Sequence, residues 1–164
     1  MSSWLRLTLI TMTVGGGFTG IALSLQMLSS QQIAGAEIYA IYIGFLILSL
    51  FVLVSGLVFV QNPDRFTLLA FALAIQIPQV TSQILAFRFG LGIHGGFGLS
   101  TTGPFGWVRV GGDVNFGVLR PLPWSIGVNL VALILLAALT LSVRRQRRHQ
   151  LPAASLLAAA GSKN

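Results

Sequence analysis

The sequence predicts an all-α integral membrane protein: a four-transmembrane-helix antiparallel bundle with a small extracytoplasmic β-meander between helices 3 and 4. The first observation is composition, because 54% of the 164 residues are hydrophobic and only 8% are charged. A soluble domain carries about a quarter charged residues, so most of this chain needs lipid as its solvent. The second observation is a set of four long uncharged apolar runs, and the third is a glycine-rich segment with period-two alternation.

The four apolar runs predict spans at about 7–28, 38–60, 66–87 and 124–143. Each has the roughly 20 residues that cross a hydrocarbon core of about 30 Å. Helices are expected, since a lone strand would leave its backbone unpaired in lipid. The first run has one alternative: Ala34, Gly35 and Ala36 resemble the cleavage site of a signal peptide. Against that, the run is longer than a typical signal-peptide core.

The segment 88–123 holds ten of the nineteen glycines and predicts the β-meander. Bulky and small or polar residues alternate along three short runs: 87–94, 105–110 and 114–118. Turn signals separate these runs, one at Gly103 and Pro104 and one at residues 111–113. We therefore expect three short antiparallel strands lying on the extracytoplasmic ends of the helices.

Basic residues predict the orientation of the bundle and the nature of residues 144–164. With four spans, seven of the ten Lys and Arg residues fall on the side of the termini. Cytoplasmic loops collect positive charge, so we expect a bacterial cytoplasmic (inner) membrane protein with both termini in the cytoplasm. Four of the seven form a basic cytoplasmic tail directly after the last span and are expected to bind anionic lipid headgroups: Arg144, Arg145, Arg147 and Arg148. Since topology explains this cluster, no nucleic-acid partner is expected.

The sequence offers no catalytic, cofactor or metal site that withstands physical scrutiny. The chain has no cysteine, which excludes disulfides, thiol redox chemistry and thiolate metal sites. His94 and His149 fall on opposite sides of the predicted membrane, and no nucleophile motif accompanies His94 and Asp113. Residues 90–95 match the glycine fingerprint of dinucleotide-binding proteins, but the strand before and the helix after that its mechanism needs are not predicted there. We therefore expect a protein that is not an enzyme.

Glycines in the first predicted span indicate a close contact between helices. Gly16 and Gly20 are four residues apart, the spacing that lets two membrane helices approach closely. The alternative is a broken helix that lines a binding site, as transporters use.

Glutamines in the third predicted span indicate a polar face. Gln76, Gln79 and Gln83 lie on one side of an ideal helix, and Pro78 would kink that helix beside them. Amides are costly in lipid unless they are paired. Either they form an interhelical hydrogen-bond seam, with Gln26 of the first span as a candidate partner, or they line a solute path.

These features predict a non-enzymatic interaction or assembly subunit of a membrane complex, or a homo-oligomer. Its expected partners are the bilayer and other membrane protein chains or copies of itself. The alternative is a small transporter or channel for an uncharged or weakly polar solute that uses the glutamine-lined path. A proton-driven pump is not expected, because the predicted spans contain no ionisable residue.

Overall fold

The computed structural model describes residues 1–30, 35–118 and 122–161; the side chains of Glu37, Val118 and residues 146–161 lie outside this description. Its helices and strands are α1 (Ser3–Ile10), a π-helical turn (Thr11–Gly15), α2 (Gly16–Ser29), α3 (Ala36–Gln61), α4 (Phe66–Ile75), β1 (Pro78–Thr81), β2 (Leu85–Ser100), β3 (Gly103–Val118), β4 (Ser125–Asn129) and α5 (Leu130–Gly161). Helices therefore pack with a four-stranded antiparallel sheet, and the prediction of an all-α four-helix membrane bundle is wrong.

Two of the four predicted spans are the source of this error. The run 66–87 forms only the ten-residue helix α4, which ends at Ile75 and is followed by β1. Pro78 lacks a backbone N–H and disfavours helical geometry at the residue before it, so the helix stops there. The run 124–143 begins with strand β4, and its helix starts only at Leu130.

Two helices in the described part of the chain are long and apolar enough to cross a membrane. They are the continuous run Ser3–Ser29, with mean hydropathy 1.4, and Ile38–Gln61, with mean hydropathy 2.8. The prediction that placed residues 88–123 outside the cell depended on a third span at 66–87. Because that span does not form, this placement loses its basis.

Small residues allow the first helical run to lie against α3. A Cβ atom on Gly17 would lie 2.7 Å from the backbone nitrogen of Leu53, and one on Gly20 would lie 2.4 Å from Ser49 Oγ. On the α3 side, a Cβ on Gly56 would lie 2.6 Å from Oγ1 of Thr13 in the first run. The two helices are therefore antiparallel neighbours in close contact.

The sheet curls because three of its strands pair with one another. β1 pairs with the start of β2, β4 pairs with the end of β2, and β1 also pairs with β4. β3 pairs with β2 along the full length of both strands, from Leu85↔Val118 to Ser100↔Gly103. β3 is therefore the outer strand of the sheet, in the order β1-β4-β2-β3.

One long hairpin replaces the predicted three-stranded meander. The expected turn at Gly103 forms, as a two-residue connection through Thr101 and Thr102 with Gly103 at φ 117°. The expected turn at residues 111–113 does not form, since these residues lie inside β3 opposite residues 90–92 of β2. Gly92 and Gly111 face each other at positive φ, so this glycine pair marks an irregularity within the hairpin instead of a chain reversal.

Two apolar clusters form the core. One joins α1, α3, α4 and α5 around Leu9, Phe59, Leu69, Leu73 and Leu139. The other joins α3 and α4 to β2 around Phe45, Val52, Ala72, Phe89 and Leu91. The hairpin therefore packs beside the two long apolar helices, not beyond their ends.

Candidate functional site

The middle of β2, residues 88–95, has no strand on one of its edges. β1 pairs with β2 only at residues 86–87, and β4 pairs with it only at residues 96–100. A buried N–H group that is left without a partner costs about 1–3 kcal/mol. The side chains that satisfy this gap are therefore as important to the sheet as a strand would be.

Two amide side chains occupy the gap. The Oε1 atom of Gln76 accepts a hydrogen bond of 3.0 Å from the N–H of Leu91, while its Nε2 donates to Ala72 O at 3.1 Å. The Oδ1 atom of Asn129 accepts from the N–H of Gly95 at 3.3 Å and from the N–H of Ala132 at 3.3 Å. Asn129 thereby caps the start of α5 and also ties that helix to the sheet.

The π-helical turn in the first helical run lies where β2 approaches it. The N–H of Ile93 points to the sulfur of Met12 at 3.5 Å. A Cβ on Gly92 would lie 3.1 Å from the carbonyl oxygen of Met12, and one on Gly16 would lie 2.8 Å from the nitrogen of Gly92. Only residues without side chains allow the helix and the strand to come this close.

Four charged or ionisable side chains meet on the β2–β3 hairpin. The Oδ2 atom of Asp113 accepts a hydrogen bond from Nη1 of Arg109 and lies 3.7 Å from Nη1 of Arg88. It also lies 3.8 Å from Nε2 of His94. This cluster follows from the hairpin register, which pairs His94 with Arg109 and places Asp113 opposite Gly90.

The neighbours of Asp113 decide its charge. Burial raises the pKa of this carboxyl, but the imidazole of His94 and the guanidinium groups of Arg109 and Arg88 outweigh burial and hold the pKa below its usual value of 3.8. Asp113 is therefore ionised at neutral pH, and its negative charge attracts the side chains of both arginines.

Glycines in the sheet leave room for two large rings, those of His94 and Trp107. The His94 ring lies over Gly90, where a Cβ would be 2.9 Å from its Cδ2 atom, and its side chain is 1% exposed. Trp107 in turn lies over Gly96 and Gly127, at 2.8 Å from the Cβ positions of both. Neither ring nitrogen of His94 has a hydrogen-bond partner in the described structure, and the same holds for Nε1 of Trp107.

β3 offers the longest unpaired edge in the described sheet. This strand has 16 residues and pairs on one side with β2. Val108 and Val110 are each 80% exposed. Natural edge strands are usually protected by charges or bulges. Here the two charged residues of the strand, Arg109 and Asp113, bind each other.

The structure does not bring the predicted glutamines together. Gln76 is buried and joins α4 to β2, whereas Gln79 is buried in β1 with its Nε2 atom unpaired. Gln83 and Gln26 are exposed. Pro78 begins β1 instead of kinking a helix. The expected single helical face therefore does not exist, because the helix ends before three of these residues.

The two predicted contact glycines lie against different elements. Gly20 contacts Ser49 of α3, which is a contact between helices, but it also contacts the side chain of Leu91. Gly16 faces the backbone of β2. The helix contact also uses Gly17, which the sequence analysis did not single out.

The basic cluster is described only in part. Arg144 and Arg145 are exposed on α5, as headgroup binding requires. The side chains of Arg147 and Arg148 lie outside the described residues.

Sequence analysis missed two residues that organise the sheet, Asn129 and Arg109, and named Asp113 only together with His94. Asn129 carried a readable signal, since Asn directly before an apolar helical run is a preferred helix cap. Arg109 carried none, because its meeting with Asp113 and His94 depends on the hairpin register. That register follows from the turn at residues 101–102, which the sequence placed only approximately.

A metal site would indicate a chemistry for this geometry, and a known relative would indicate a function. Within the described residues, no three His, Cys, Asp or Glu side chains come together as a metal site. No protein-family model, no curated protein and no solved structure matches this chain.

Proposed function

We propose that this protein is a non-enzymatic assembly subunit of a membrane complex, and that a second chain, identical or different, binds along the β3 edge. The observation that carries the proposal is the unpaired edge of β3, with Val108 and Val110 each 80% exposed. Backbone N–H and C=O groups along such an edge pair readily with an added strand.

The position of the hairpin strengthens this proposal. β2 contacts Met12, Gly16 and Gly20 in the middle of the first helical run. If that run crosses the bilayer, the hairpin lies at the depth of the hydrocarbon core. Unpaired backbone at that depth is tolerated only where protein or water covers it. A partner strand on β3 would supply this cover.

We further propose that the two long apolar helices cross a bacterial cytoplasmic membrane with residues 1–2 and 62–65 on the cytoplasmic side. Two spans put Arg6 and Arg65 on the same side, which the positive-inside rule assigns to the cytoplasm. In each helix, only 33% of the most apolar stretch of 18 residues is buried within the chain. A core helix of a soluble protein would be mostly buried, so lipid or a partner is the expected cover for the rest.

The non-enzymatic part of the proposal rests on the sequence, in which no nucleophile motif accompanies His94 and Asp113. In the structure, Asp113 is engaged by two arginines. The geometry gives the transporter alternative no support, because the four glutamines do not line a common path.

A charge placed on the free edge tests the assembly proposal. We expect the double substitution Val108→Lys and Val110→Lys to lower the oligomeric mass in mild detergent, measured by size exclusion with light scattering. The matched control is Ile126→Lys, because Ile126 is exposed but lies on β4, which is paired on both sides. An unchanged mass in the double variant would remove the β3 edge as the docking site.

The absence of cysteine in the chain allows a second, direct measurement. Cysteine at Val108 should form a disulfide-linked product under oxidation, and cysteine at Ile126 should not. A crosslinked dimer of this chain indicates a homo-oligomer. A product that contains another membrane protein indicates a mixed complex.

A further inference from the structure

A cavity of about 500 Å³ lies between the N-terminal half of α3 and the β2–β3 hairpin. Its walls are apolar: Ala40, Gly44 and Leu48 contribute from α3, and Phe87 and Phe116 from the hairpin. This volume falls in the range of about 300–1,000 Å³ typical of small-molecule sites. The cavity shares Arg88 with the ion cluster around Asp113, and its lining includes neither Val108 nor Val110 of the outer strand.

The packing of the hairpin explains why this cavity exists. At Gly112 the hairpin touches the helices, since a Cβ there would lie 3.0 Å from Leu23 and 3.1 Å from Phe45. Next to this contact, the ring of Phe45 meets that of Phe89 edge-on, with 5.8 Å between their centroids. Apart from the neighbouring residues and backbone of its own helix, no heavy atom of the described residues lies within 4 Å of a Cβ built on Gly44. The cavity is therefore bounded by this aromatic contact and kept open by the absence of a side chain at Gly44.

Arg88 is the one charged residue among the described residues that line the cavity. Its Nε atom is buried and has no hydrogen-bond partner in the described structure. Its Nη1 atom lies 3.7 Å from Oδ2 of Asp113, an atom that already accepts a hydrogen bond from Arg109. Arg88 therefore has donors left for a second anion at the wall of an otherwise apolar space.

We propose that this cavity binds one acyl chain of an anionic phospholipid, with the phosphate held by Arg88. The apolar walls match a hydrocarbon chain, and the Arg88 guanidinium, whose Nη1 atom lies 3.7 Å from Asp113, matches a phosphate oxygen. Phospholipid is the ligand most available to this surface, because α3 is one of the two helices long and apolar enough to cross a membrane. The site would fasten the hairpin to α3 through lipid where the protein leaves a gap.

Binding to the delipidated full-length protein in mild detergent tests this proposal. Phosphatidylglycerol and phosphatidylcholine with identical chains are titrated separately, and bound lipid is counted by native mass spectrometry. We expect one tight site that prefers phosphatidylglycerol. Gly44→Leu, which fills the cavity, should weaken that site by about tenfold or more, where tenfold corresponds to about 1.4 kcal/mol.

Matched controls separate the cavity from other lipid contacts. Gly15→Leu adds the same side chain to a helical glycine that also has open space around it, and it should bind lipid like the unmodified chain. Arg88→Gln should remove the preference for phosphatidylglycerol, while Arg65→Gln, in the exposed turn after α3, should keep it. Loss of lipid only on substitution of Arg144 and Arg145 would place the tight site on α5 and overturn the proposal.

Other outcomes overturn the proposal as clearly. Unchanged tight binding in Gly44→Leu, or equal affinity for the two lipids in the unmodified chain, contradicts it. A changed oligomeric mass in Gly44→Leu with unchanged lipid binding would mean that a neighbouring protein chain fills the cavity. Should Gly44→Leu lose its helical circular dichroism, photocrosslinking of unmodified protein with a diazirine-tailed phosphatidylglycerol decides. Labels on residues 40–48 or 114–117 support the site, and labels confined to other segments exclude it.

Discussion

The side chain of Gln76 accepts a backbone hydrogen bond from β2 that a neighbouring strand would otherwise accept. Its loss should therefore lower the stability of the protein. We expect Gln76→Leu to lower the free energy of unfolding by about 1–3 kcal/mol, because the buried N–H of Leu91 would lose its acceptor. Thermal unfolding in mild detergent, followed by circular dichroism, measures this. The control is Gln26→Leu, at an exposed position, which should stay within about 0.5 kcal/mol. Equal effects of the two substitutions would contradict the role given to Gln76.

Asp113 should make stability depend on pH at the acid end. Its pKa is lowered in the folded protein, so its contribution is fully present above its ordinary value of 3.8. The contribution is lost as pH falls through the lower folded pKa. We expect Asp113→Asn to be less stable at neutral pH and to lose less stability on acidification. Thermal unfolding between pH 7 and pH 3, compared for both proteins, provides the measurement; parallel curves would contradict the assigned ion cluster.

Single residues were the level at which sequence reasoning succeeded least. The burial of Gln76 was expected, since an amide in an apolar run needs a partner. Its partner was not, because Leu91 belongs to a strand and the expected partner was another helix. Of the ion cluster around Asp113, sequence reasoning considered only His94 and missed the two arginines, Arg88 and Arg109. Pairings of this kind depend on a register that no local pattern specifies.

At the scale of elements, two adjacent glycines in the first helical run should respond oppositely to the same change. Gly16→Ala should destabilise the protein by about 1–3 kcal/mol, because its new Cβ would overlap the backbone of Gly92, 2.8 Å away. Gly15→Ala meets open space and should be neutral or stabilising by up to about 1 kcal/mol. Thermal unfolding of the two variants side by side tests the contact. Equal stabilities would mean that β2 does not lie against this helix.

Helices α4 and α5 show which sequence signals were misweighted. Residues 66–87 are uncharged and apolar, and that pattern outweighed Pro78 and the β-branched residues Val80 and Thr81 that follow it. In the structure these residues form β1. Likewise Ile126 and Val128 alternate with Gly127 and Asn129 as a strand does, and Asn129 then caps α5. Hydropathy alone cannot distinguish a buried strand from a buried helix. Proline, glycine, β-branched and helix-capping residues have to decide between them.

The long hairpin was approached more closely by sequence reasoning. Alternation of bulky and small residues predicted strands within 87–118, and β2 and β3 occupy that region. The glycines at 111 and 112 were interpreted as a turn because two adjacent glycines usually reverse the chain. Opposite them lies Gly92, also at positive φ. The sequence does not show that β3 continues through Gly111 and Gly112, because only its pairing with β2 holds these residues in the strand.

At the scale of the whole molecule, the proposed topology has a direct test. Cysteine at Ser29, at the end of α2, should react with an impermeant thiol reagent on intact cells. Cysteine at Asn62, after α3, should react only after the membrane is opened. The chain contains no cysteine of its own, so labelling reports these positions alone. Labelling of both positions on intact cells, or release of the protein by alkaline carbonate, would exclude two membrane-crossing helices.

The π-helical turn at Thr11–Gly15 has a consequence for the rotational phase of the first helix. A π turn takes up one residue more than an α turn. One residue corresponds to about 100° of rotation about the helix axis. If the same residues were wound as an ordinary α-helix, Leu9 would turn away from its cluster with Phe59 and Leu139 while Gly20 kept its contact with α3. The π-helical turn therefore sets the rotation of the first helical run, so that Leu9 faces its cluster while Gly20 faces α3.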